Sequence, residues 1–188
     1  RDVAVTGVQT CALPICYQNL FDEKLGFHDV NELVRLASGV ISQEAAEKNV
    51  HIRLELDKRL PSIATYSRQL QEVFVNVLSN AVTASRPDQS VTVQTGQRNP
   101  ETVYLRVMDE GAGMNEETLR HIFDPFFTTK KTGSTGLGMY ITFSILNRLG
   151  GNIHIETILE QGTVVDILLP VRAKDLLEEE ARPKDGDE

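Results

Sequence analysis

The chain has 188 residues, 40% of them apolar and 24% charged, and a net charge of −8. That is the make-up of one ordinary soluble domain, and it excludes a collagenous chain, a disulfide scaffold on two cysteines and a bilayer-spanning run of ~18 apolar residues. The acidic balance also argues against a nucleic-acid partner, which needs a basic stripe; much of the charge is local, with seven acidic and three basic residues between Lys174 and Glu188.

The opening segment, RDVAVTGVQTCALPIC, carries no charge after Asp2 and has neither helical nor alternating period. Its run from Val5 to Ile15 resembles a sequencing adapter read in frame. Residues 1–16 are therefore expected to be non-native, with 17–28 a linker, which strips Cys11 and Cys16 of meaning for compartment. Regular structure is expected from Asp29. Asp29 with Glu32 three residues on reads as a capping box, and Val30, Leu33, Val34, Ala37, Val40 and Ile41 make one helical face running to about Lys48. Then Val50, Ile52, Leu54 and Leu56 alternate with His51, Arg53 and Glu55, a half-buried strand ended by Leu60-Pro61.

A second helix, from near Ser67 to before Pro87, is expected to bury Leu70, Val73, Phe74, Val77, Leu78 and Ala81. Val91 and Val93, then Val103, Leu105 and Val107, read as two strands joined by GQRNPE. Next come a short helix capped by Asn115, a loop to about Thr135, and a helix from Gly136 to Leu149 stopped by Gly150-Gly151. Two strands, Ile153 to Ile158 and Thr163 to Leu169, close a domain placed at 29–171. The acidic residues 172–188 are expected to remain a disordered tail.

Three features have chemical potential. Glu72, Asn76 and Asn80 recur at four-residue steps along the second helix, so they share one side of it; a solvated face would also explain them. In MDEGAGM a strand delivers Asp109 into a loop with Gly111 and Gly113, where a carboxylate can accept from a ligand's amino group beside exposed backbone; a plain turn has the same letters. In TGSTGLGMY, Gly133, Gly136 and Gly138 lead into a helix whose first amides suit phosphate oxygens, with Lys130 and Lys131 just before. No Gly-Lys-Ser/Thr is present, so this is not a Walker loop. Between the last two lies FDPFFTTK, an aromatic cluster suited to a mobile lid or to plain packing.

The order of these motifs, ending in the Gln161-Gly162-Thr163 turn and LLP, resembles the catalytic ATP-binding domain of sensor histidine kinases, especially its nitrogen-regulation-like branch. The likeness covers roughly Phe27 to Val171. It implies a two-layer α/β sandwich, a mixed sheet covered on one face by three helices, with a lid from about Met114 to Thr135. It implies ATP and magnesium as cofactors, Asn80 as metal ligand with Asn76 beside it, and Asp109 as acceptor for the adenine amino group, flanked by Gly111 and Gly113. Gly136, Leu137 and Gly138 would shape the phosphate end, Lys130 would approach the terminal phosphate, and Thr163 would lie near Asp109. Asn76 also stands where related hydrolases carry a glutamate base, so ATP would be held for transfer; Glu72, one turn away, is a further catalytic candidate.

The implied reaction is phosphoryl transfer to a histidine on a separate dimerisation domain of a cytoplasmic or membrane-anchored homodimer, which then serves a response regulator. A nucleotide-binding regulatory module and an anti-sigma-type serine kinase are the alternatives. Two positions depart from the pattern: Ser134 replaces a lid glycine, and Thr83 stands where many relatives carry a basic residue. His28-Asp29 superficially suggests a phosphoacceptor, but only 48 residues separate His28 from Asn76 and a helix and strand occupy them. His28 is read as a linker residue, and His51, His121 and His154 as structural.

Overall fold

The computed structural model describes residues 24–129 and 135–172. The adapter-like segment, most of the linker, the lid residues around Lys130 and Ser134, and nearly all of the acidic tail lie outside them. In chain order the elements are β1 (Gly26–His28), α1 (Val30–Glu47), β2 (His51–Leu56), β3 (Ile63–Thr65), α2 (Ser67–Ala84), β4 (Ser90–Asn99) and β5 (Thr102–Asp109). They continue with α3 (Glu116–His121), α4 (Gly138–Arg148), β6 (Asn152–Ile158) and β7 (Gly162–Pro170).

Alternation decides which way the sheet faces. Val91, Val93 and Thr95 of β4, Val103, Leu105 and Val107 of β5, and Ile167 and Leu169 of β7 are all buried, while the residues between them in each strand are only partly so. A strand's side chains alternate between faces, so each contributes one row to a single core. The five strands lie in the order β2-β4-β5-β7-β6, with β2 parallel to β4 and every other pair antiparallel. Helices α1, α2 and α4 pack side by side over the apolar face, α2 in the middle. The mixed sheet with three helices is thus the expected two-layer sandwich. On the open face, Arg106 forks onto both carboxylate oxygens of Asp166 at 2.6 and 2.7 Å, spending polar side chains where water remains.

The central helix gives the core more buried residues than any other element. Leu70, Val73, Phe74, Val77, Leu78 and Ala81 form its buried stripe as expected, none more than 5% exposed. Burying each of the larger side chains contributes roughly 1.5–3 kcal/mol, so Phe74→Ala is a change of about 3–5 kcal/mol and the one most damaging to the layer. Helix α1 starts where expected: the Asp29 carboxylate accepts from the Asn31 N–H at 2.8 Å. Among the described residues Glu32 gives no side-chain bond in return, so only half of the capping box forms.

Helices α1 and α4 stop by the same device. Val50 N–H bonds Ala45 O and Asn49 N–H bonds Ala46 O after α1, and Gly151 and Gly150 do the same to Leu146 and Asn147 after α4. The first of these stops has Asn49 at φ 55°, where the sequence offers no glycine.

Three expectations need correction. Gly26–His28, placed in the linker, is strand β1, which pairs antiparallel with β3 in a two-stranded sheet; His28 is therefore a strand residue. Leu54 was expected on a buried face but is 39% exposed, because β2 is the edge strand and its outer side has no neighbour in the sheet. Val40, assigned to the apolar face of α1, is 59% exposed. A polar node that periodicity does not announce pins α1 to the sheet: buried Asn31 donates to Asp57 O at 2.8 Å and accepts from the Thr95 hydroxyl at 2.7 Å.

Candidate functional site

A cleft of about 540 Å³ opens between α2 and the ends of β5 and β7, with the lid on its far side. Its lining includes Asn76, Asn80, Asp109, Gly113, Gly136, Gly138 and Thr163, residues separated by up to 87 positions that the fold brings together. The topology explains this. Asp109 is the last residue of β5 and stands opposite Thr163, the second residue of β7, so two central strands end at one point beside the helix that carries the asparagines.

At the Asp109 end the geometry is fixed by backbone. The carboxylate accepts from the Gly111 N–H at 2.9 Å. Burial pushes the Asp109 carboxyl above its ordinary value, and the N–H groups of Gly111 and Thr163 offset part of that rise. The loop after it is clamped from both sides. Ala112 N–H bonds Ala84 O at 3.1 Å, and Glu160 N–H bonds Ala112 O at 2.7 Å. Gly113 has φ 59°, and a Cβ there would lie 2.0 Å from Ile158 O, so only glycine fits between this loop and the β6–β7 turn.

Thr157 completes this end, accepting from Met114 N–H at 2.9 Å and sharing a bond with the Thr163 hydroxyl at 3.1 Å. Sequence reasoning missed it, since a threonine in a strand carries no signal of its own.

At the other end, Asn76 and Asn80 both line the cleft, one helical turn apart. Asn76 Nδ2 donates to Gly138 O at 3.2 Å, which ties α2 to the first residue of α4. The side chain of Asn80 has no hydrogen-bond partner among the described residues. Among the described residues no side chain caps α4, so its first-turn N–H groups suit an outside acceptor. Gly136, at φ 67°, lies against the backbone of Phe126 and Phe127, where a Cβ would come within 2.4 Å of Phe126 C. The two limbs of the lid are thereby stacked on each other.

Not every candidate joins the cleft. Glu72, a turn before Asn76, Gly111, whose N–H is turned to Asp109, and Leu137, which precedes α4, are not among the residues that line it. Lys130 lies outside the described residues. Thr83 does line the cleft, but its hydroxyl is directed to Glu44 of α1 at 3.0 Å.

The donor set suits a nucleotide with a hard cation. Asp109 is the sole carboxylate among the cleft's described lining residues, and no group of three or more His, Cys, Asp or Glu side chains among the described residues is placed to hold a metal. Magnesium takes few protein oxygens and completes its octahedron with phosphates and water, which Asn80 and Asn76 could serve.

A family model described as histidine kinase-, DNA gyrase B- and HSP90-like ATPase matches residues 65–173. The chain belongs to this ATPase family. Sporulation kinase E of Bacillus subtilis (strain 168) is 33% identical over 153 residues, 81% of this chain and 20% of the relative. Sensor histidine kinase ZraS of Salmonella typhi is 31% identical over 146 residues, 78% of this chain and 31% of the relative. The chain thus spans about a fifth to a third of the length of these curated relatives. The solved catalytic domain of histidine kinase ThkA superposes with a TM-score of 0.71 at 25% identity, over 79% of this chain and 97% of that one. Within its family the chain is a catalytic ATP-binding domain of the sensor histidine kinase kind. No helix of its described residues is long and apolar enough to cross a membrane.

Proposed function

We propose that the domain binds ATP with magnesium across this cleft and presents the γ-phosphoryl group to a histidine on a separate domain of a longer, homodimeric, cytoplasm-facing kinase that serves a response regulator. The single observation that supports this best is the polarity of the cleft. A buried carboxylate at one end faces the asparagine pair and an uncapped helix start at the other.

Asp109 would accept from the adenine amino group while the backbone around Gly111 and Gly113 flanks the ring. Asn80, with Asn76 beside it, would hold the metal, and the first amides of α4 would orient the phosphates; Lys130 is proposed to meet the terminal one. ATP supplies the transferable phosphoryl group and magnesium neutralises its charge. The residues contribute position and charge stabilisation rather than covalent chemistry. Among the described residues Asp109 is the one carboxylate lining the cleft and it stands at the base end, so none of them is placed to take a proton from water at the phosphates. Slow hydrolysis follows, with ATP kept for transfer.

The test has two stages. The chain should bind ATP in a magnesium-dependent way; an absence of that dependence refutes the reading. Adding a histidine-bearing dimerisation domain in trans should then give an acid-labile phosphoryl label. An acid-stable label would favour a serine kinase, and no label a regulatory nucleotide-binding module.

A further inference from the structure

Serines within helices can return their hydroxyl proton to a carbonyl of the preceding turn. Ser38 and Ser144 do so, donating to Val34 O at 2.8 Å and Tyr140 O at 2.9 Å. Ser79 and Thr83, on the cleft-lining stretch of α2, do not. Ser79 Oγ donates to Glu44 Oε2 at 3.1 Å and Thr83 Oγ1 donates to Glu44 Oε1 at 3.0 Å, so one carboxylate from α1 holds both hydroxyls. One turn further on, at the C-cap of α1, Lys48 Nζ donates to Thr83 O at 3.1 Å. The last two turns of α2 are therefore gripped by α1 through their side chains and their backbone.

The chemistry of this grip is directional. An ionised carboxylate only accepts, so both hydroxyl protons are committed to Glu44 and neither can donate into the cleft. What Ser79 and Thr83 keep for the cleft is acceptor capacity, strengthened because a hydroxyl that donates to a charged acceptor becomes a better acceptor itself. Asn80 lies between them in sequence, and all three line the cleft. Magnesium usually retains several bound waters, whose protons need acceptors around the site.

We infer that Glu44 is a positioning residue for the metal: by fixing the hydroxyls of Ser79 and Thr83 as acceptors, it makes the wall beside Asn80 a seat for hydrated magnesium. This rests on the proposal that the cleft binds magnesium and ATP, and it extends the functional apparatus to α1, a helix that does not line the cleft.

Glu44→Gln tests it, since the amide that replaces one carboxylate oxygen is a donor and forces one hydroxyl to reverse. Binding of ATP to the full chain is measured by displacement of a fluorescent nucleotide, once with excess chelator and once across a magnesium titration. The expected result is an increase of about tenfold or more in the magnesium concentration giving half-maximal binding, the scale typical of lost outer-shell partners, with metal-free affinity unchanged. Thr83→Val, which removes one acceptor and keeps the shape, should shift the magnesium requirement the same way by a smaller factor, and it keeps the question decidable if Glu44→Gln folds poorly. An unaltered magnesium requirement in folded Glu44→Gln and Thr83→Val overturns the inference. So do equal losses with and without magnesium, which would mean a helix clamp alone. If wild type itself shows no magnesium-dependent binding, the proposed function fails first and this inference falls with it.

Discussion

The two ends of the cleft are built in opposite ways. Around Asp109 the positions are set by sheet register and by backbone bonds from Gly111, Ala112, Met114 and Glu160, with strand ends on either side. At the lid end, α3 has only six residues and buries none of them, and Phe126 stands 74% exposed at φ 66°. A bulky residue at positive φ is strained and persists only where its surroundings impose it, here the stacking of Gly136 on the same peptide. One end is finished before any ligand arrives, whereas the other has little burial to resist rearrangement. Affinity should therefore reside at the rigid end and discrimination among phosphate states at the soft one.

The largest effect expected from breaking this contrast is at the rigid end. Asp109→Ala should lower nucleotide affinity by about a hundredfold or more, because a charged acceptor is lost from a buried site, while the circular dichroism spectrum stays native. Asn80→Ala should remove most of the magnesium-dependent part, about tenfold or more, and leave metal-free binding intact when measured with chelator. Gly136→Ala adds a Cβ where none fits and should cost ATP about tenfold through the lid, with the melting temperature little changed; an equal loss for adenosine would show that the two ends are not independent.

A pH profile sharpens the point further. Asp109 binds its proton more tightly when folded, so its own contribution to stability is fully present below its ordinary value of 3.8 and is lost as pH rises through its elevated pKa. The ligand needs the ionised form, so nucleotide affinity should be lost as pH falls through that same raised pKa, at a higher pH than an unperturbed carboxylate would give. Asp109→Asn should remove that share of the stability slope, as seen in melting temperature against pH compared with wild type. The smallest effect is expected at Arg86, whose ion pair with Glu160 is solvent-exposed. Arg86→Ala should change stability by less than about 1 kcal/mol.

Most of the scaffold could be read from periodicity, because its elements have one wet and one dry side. The buried stripe from Leu70 to Ala81 and the alternation from Val103 to Val107, which leads to Asp109, are such cases, whereas the helix expected from Gly136 begins at Gly138. Short or edge elements escaped: three-residue β1 has no period to detect, and Leu54 alternates correctly yet meets solvent. In the site, residues with a motif were legible and those acting through partners were not. Nothing near Glu44 in the sequence points to Ser79 and Thr83, 35 and 39 positions away, nor Thr157 to Met114. Glu72 shows the converse error, since a four-residue step sets the side of a helix but not how far along it the cleft extends.

The small sheet of β1 and β3 has a mechanical consequence. β1 pairs with β3 over three residue positions, and a single residue, Tyr66, joins β3 to α2. Ala64 of β3 is in turn bonded to Val171, just past the end of β7, at 2.9 Å. A tug on the chain ahead of Gly26 is therefore delivered to the foot of the asparagine helix and to the strand that begins opposite Asp109. The two ends of the cleft share one lever, and it is fastened on the side of the molecule away from the ligand.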